Sequence, residues 1–115
     1  MSYLYCKLLI NQIKLVMAQT TTLSREELVL LLVGKFPELN CMLTEDFFGL
    51  GGTMNGIWLS GEDGITDKKG NVLFNYYNNG STYKFGVINH FCEFIEKHGW
   101  YAEWYDAGTL MLWEN

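Results

Sequence analysis

The chain has 115 residues, 49% hydrophobic and 18% charged, which is enough apolar content to bury a core without staples and too much for intrinsic disorder. Its formal net charge is −5, with eight scattered Lys and Arg, and this disfavours direct nucleic-acid binding, which needs a basic surface. The three cysteines, Cys6, Cys41 and Cys92, form no close pair and fit a reducing cytoplasm better than a disulfide framework.

The N-terminal stretch, residues 3–17, is apolar but interrupted by Lys7, Asn11, Gln12 and Lys14. It is too short and too polar for a membrane span, and no clean cleavage site marks it as a secretory signal. Residues 1–16 read either as an N-terminal helix or as an extension upstream of a start at Met17. Residues 17–115 read as a single α+β domain.

Ser24-Arg25-Glu26-Glu27 fits a capping box that opens a helix, with Leu28, Leu31 and Val33 on its stripe. Phe36-Pro37 limits it, because the residue before proline avoids the helical region. Residues 38–43 suggest a short second helix with Leu39 and Met42 inward. Phe47 to Gly52 reads as a glycine-rich bend, followed by a strand over residues 53–60 with Trp58 on one face and Ile57 and Leu59 on the other.

Lys68-Lys69-Gly70-Asn71 and Asn78-Asn79-Gly80-Ser81 are turn signals that flank a strand at residues 72–77, with a short returning strand at residues 83–85. Residues 86–98 form the clearest helical pattern, since Ile88, Phe91, Cys92 and Ile95 recur at helical spacing. Glu93 and Lys97 fit an external i,i+4 pair, and Gly99 fits the helix stop. Residues 100–113 then read as a hairpin. Trp100, Ala102 and Trp104 share one face of its first strand, Tyr101, Glu103 and Tyr105 share the other, and Asp106-Ala107-Gly108 makes the turn. These elements predict an α+β fold: an antiparallel-rich sheet of about four or five strands with two or three helices mainly on one face.

Catalytic patterns are sparse. Gly49-Leu50-Gly51-Gly52 departs from both phosphate-loop and dinucleotide motifs. His90 and His98 lie too far apart on one helix to be paired ligands, and His90 with Glu93 is an incomplete metal set. No nucleophile-elbow pattern occurs, and Cys92 on an apolar face reads as a core residue. No cofactor or metal is expected from these residues.

The aromatic residues stand out instead. Trp58, Tyr76, Tyr77, Tyr83, Trp100, Tyr101, Trp104, Tyr105 and Trp113 are too many for one small interior. Ile88, Phe91 and Ile95 can cover one face of the hairpin. The other face needs the N-terminal helices, a second protomer or a partner protein. The candidate binding residues are therefore Tyr101, Glu103, Tyr105, Asp106, Trp58 and Trp113. The function they suggest is a non-enzymatic protein-interaction module that binds a protein partner or forms a homo-oligomer. The alternative is a small-ligand or nucleotide-sequestering domain, with the Gly49–Gly52 bend, Trp58 and Asp106 lining its pocket.

Gly51-Gly52 with Gly56-Ile57-Trp58, Tyr83 to Val87, and above all Gly99-Trp100-Tyr101-Ala102-Glu103-Trp104-Tyr105-Asp106-Ala107-Gly108-Thr109 resemble a pattern found in small uncharacterised proteins of bacterial phage and mobile elements. The resemblance covers roughly residues 45–113. It implies a phage or prophage accessory setting, in which small acidic proteins act by binding host proteins, and it transfers no catalytic residue.

Overall fold

The computed structural model describes residues 22–49 and 55–115. The expectations for residues 1–16, for a start at Met17 and for residues 50–54 lie outside this range. Helix α1 spans Arg25–Lys35 and opens as its sequence dictates: Ser24 Oγ accepts from the Glu27 amide, and the Glu27 carboxylate accepts from the Ser24 amide at 3.0 Å. Leu28 and Leu32 are the buried positions of α1. Val33, expected on the inner stripe, is exposed, because the i to i+4 row from Leu28 runs through Leu32.

A four-stranded antiparallel sheet follows, built from β1 (Cys41–Leu43), β2 (Ile57–Ser60) and a long C-terminal hairpin, with the five-residue helix α2 (Thr44–Phe48) between β1 and β2. Residues 38–43 do not form the expected helix. Cys41 to Leu43 extends and pairs with Leu59 to Ile57, which turns Met42 outward, while Leu39 remains buried in the approach to the strand. A three-residue apolar run carries no period able to separate helix from strand, and here the pairing decides.

Within residues 61–99 the chain forms a two-stranded sheet, β3 (Tyr83–Lys84) with β4 (Val87–Ile88), and helix α3 (Asn89–Glu96). The expected helix over residues 86–98 therefore begins three residues late. Gly86, at φ +78°, is committed to the β3–β4 turn, and Val87 and Ile88 to the ladder. The expected strand at residues 72–77 is reduced to isolated bridges, Val72 with Thr66 and Phe74 with Val87. Gly99, at φ +85°, closes the helix region as expected. Lys97 lies over the Phe94 ring, 5.6 Å from its centroid, and forms no ion pair with Glu93.

Strands β5 (Trp100–Asp106) and β6 (Thr109–Glu114) complete the larger sheet, whose order is β1-β2-β6-β5. Register fixes its two faces. Ile57 pairs with Leu112, Leu59 with Leu110, and Ala102 and Trp104 with Leu112 and Leu110, so these side chains share the inner face. They join one apolar cluster with Leu28 and Leu32 of α1 and Phe91 and Ile95 of α3. Trp100 is fully buried there, and its indole N–H donates to the Leu23 carbonyl at 2.9 Å. The protein is thus α+β, with three helices, a four-stranded antiparallel sheet and a two-stranded sheet among the described residues.

Candidate functional site

The opposite face of the sheet collects what the inner face rejects. Met42, Trp58, Met111 and Glu103 occupy successive strands in register, and Trp113 faces Tyr101 on the neighbouring pair. A bulge in β5 between Trp104 and Asp106 leaves Tyr105 without a register partner, while Asp106 pairs with Thr109. The extra residue brings Tyr105 and Asp106 consecutively onto the outer side, where strict alternation would have separated them.

Helix α2 lies across this face and builds an aromatic cluster on it. The Phe47 ring stacks on Trp58 with centroids 5.5 Å apart and planes at 23°. Phe47 and Phe48 both meet Tyr105 edge-on, at 5.9 and 5.4 Å. Met111 is buried, whereas Phe47, Phe48 and Tyr101 keep more than a third of their surface exposed and Tyr105 keeps 57%. Trp113 settles over Gly56, where an added Cβ would lie 2.6 Å from the indole ring, so only glycine admits that approach.

Two contacts hold α2 in place. Thr44, fully buried, accepts from the Gly56 amide through Oγ1 at 3.0 Å. Arg25 of α1 reaches over to the Glu45 carboxylate, with Nη1 2.7 Å from Oε1. Those bonds with Arg25 and Thr44 hold the Glu45 carboxyl far below its ordinary value, at about 2.

The face is electrostatically one-sided. The four strands of the sheet and α2 carry Glu45, Asp46, Glu103, Asp106 and Glu114 and contain no Lys, Arg or His. Glu45 is committed to Arg25, and one oxygen of Asp106 accepts from the Gly108 amide at 3.0 Å in the hairpin turn. Glu103 makes no ion pair among the described residues and is exposed. The Trp58 indole nitrogen is buried and finds no acceptor among the described residues, a deficit of about 1–3 kcal/mol.

All six candidate residues from the sequence therefore lie on or beside one surface. Phe47 and Phe48 were missed because their neighbouring glycines suggested a bend. The acidic start of Thr44-Glu45-Asp46, suited to a helix N-terminus, was the signal that could have exposed α2.

Elsewhere, chemistry is limited. Burial pushes the Cys41 thiol up to about 11, and Cys92 is also raised by burial, so neither favours the thiolate. His90 pairs not with Glu93 but with Asp67, Nε2 to Oδ2 at 3.0 Å, beside a cleft of about 940 Å³ that neither Trp58 nor Asp106 lines. No group of three metal-ligating side chains occurs among the described residues, and no helix there is long and apolar enough to cross a membrane. Comparison with protein-family models, with curated proteins and with solved structures finds no match.

Proposed function

We propose that this protein is a non-enzymatic interaction module that docks a basic polypeptide partner on the outer face of its sheet, in the accessory role its phage-type C-terminal segment suggests. The observation that carries this reading is the pairing of exposed rings (Phe47, Phe48, Tyr101, Tyr105) with free carboxylate on strands and a helix that themselves carry no Lys, Arg or His. Tyr and Phe supply large contact area at modest entropic cost, and the acids select the sign of the partner.

Self-association through this face is disfavoured by symmetry. A two-fold interface is self-complementary, so it would bring Glu103 and Asp106 of one copy near those of the other with no cation between them. A basic partner meets the same carboxylates favourably.

The test is affinity capture from a bacterial lysate with wild type, Glu103→Lys and Tyr105→Ala, followed by titration of the purified captured protein. The expected partner presents Lys or Arg at its contact surface and binds more weakly as salt rises. Each substitution should weaken binding at least about tenfold. A partner that binds all three proteins equally, or light scattering that shows a dimer disrupted by Tyr105→Ala, would overturn the reading.

A further inference from the structure

A second site lies away from the aromatic face. We propose that the cleft between the end of α1 and the loop at residues 65–71 binds a small organic phosphate, an aryl or nucleoside phosphomonoester. The cleft, about 940 Å³, is floored by Phe36, Ile65 and Ile88 and rimmed by Lys35, Lys68 and Lys69. Its size and its apolar floor with a few converging polar groups are those of a small-molecule site.

The charge distribution selects the ligand. In a chain of net charge −5, the cations outside this rim are already engaged among the described residues: Arg25 with Glu45, Lys84 with Glu96, and Lys97 over the Phe94 ring. Lys68 and Lys69 form no ion pair there, and Lys35 also lies over Phe94, 4.2 Å from its centroid. Of the two carboxylates that line the cleft, Asp67 is spent internally. One of its oxygens accepts from the Lys69 and Asn71 amides, both at 2.9 Å, and the other faces His90. Only Glu38 opposes the lysines. The two unpaired ammonium groups of Lys68 and Lys69 beside one opening suit the dianion of a phosphate, and the apolar floor suits a flat organic body.

Asp67 also orients the imidazole. The amide bonds from Asn71 and Lys69, with the contact to His90, hold its carboxyl below the ordinary value, so it is an acceptor and His90 Nε2 carries the hydrogen. His90 Nδ1 is left without a hydrogen-bond partner among the described residues.

The experiment is a ¹⁵N-resolved NMR titration of the full chain with 4-nitrophenyl phosphate, inorganic phosphate and 4-nitrophenol, repeated on the double variant Lys68→Ala/Lys69→Ala. Saturable shifts with the aryl phosphate are expected at Lys69, Asn71, Ile88 and His90. Inorganic phosphate should bind at least about tenfold more weakly, the phenol should leave the spectrum unmoved, and the double variant should lose at least about tenfold in affinity. Both lysines are exposed, so the double variant should keep wild-type dispersion. Absence of saturable shifts, shifts confined to another surface, inorganic phosphate binding as tightly as the ester, or wild-type affinity in the double variant would each overturn the assignment.

Discussion

Arg25 Nη1 sits 2.7 Å from one oxygen of the Glu45 carboxylate and 2.8 Å from the other, although the two residues are 20 positions apart. The same nitrogen lies 3.4 Å from the Gly56 carbonyl, so one guanidinium ties α1, α2 and the approach to β2 together. Phe47 and Phe48 ride on α2, and the aromatic cluster therefore depends on this contact.

That dependence predicts an acid transition. The Glu45 carboxyl ordinarily titrates near 4.5 and is held at about 2 in the folded protein. A depressed folded value means that its stabilising contribution is complete above the unfolded value and fades as pH falls toward the folded one. Trp58 fluorescence should therefore change between pH 4.5 and about 2 as α2 loosens. Glu45→Gln should lack this step and show the loosened signal at neutral pH.

The β3–β4 turn carries strain that a substitution can remove. Phe85, 84% exposed as a residue, adopts φ +50°, a conformation that costs a bulky L-residue roughly 1–2 kcal/mol. Phe85→Asn should raise stability by about 1 kcal/mol in guanidinium melts, since Asn tolerates that region and keeps the carbonyl that accepts from Trp104 Nε1. Gly86→Ala should do the reverse, at about 2 kcal/mol or more, because the new Cβ would meet the Asn75 carbonyl oxygen at 2.5 Å.

Trp100 links the start of the described chain to its C-terminal hairpin through the bond to the Leu23 carbonyl. Trp100→Phe should cost about 3 kcal/mol in urea unfolding, from lost volume in a closed core and a carbonyl left without its donor. The Tyr101→Ala variant, at an outer-face position, should cost less than about half as much in the same measurement.

Local signals were legible where one residue type has one physical use. The Ser24–Glu27 cap, the Gly99 stop and the two faces of β5 all follow from hydrogen-bonding chemistry, backbone sterics or period-two alternation. Pairing choices were not legible. Cys41–Leu43 and Val87–Ile88 become strands because a partner strand lies beside them, while Val72 and Phe74 manage only single bridges. The surplus of rings pointed to the outer face, but the sequence did not show that Phe47 and Phe48 would cap it, since this needs the Arg25–Glu45 tie. The Asp67–His90 contact joins residues 23 positions apart and has no periodic signature.

The bulge at Tyr105 also bears on solubility. Strand β5 is the border of the four-stranded sheet, and a flat seven-residue border invites another chain to add itself and continue the stack. The irregularity after Trp104 spoils the hydrogen-bond spacing that an added strand would have to match. A distortion that sets Tyr105 and Asp106 side by side thus also works against edge-to-edge addition of a further strand.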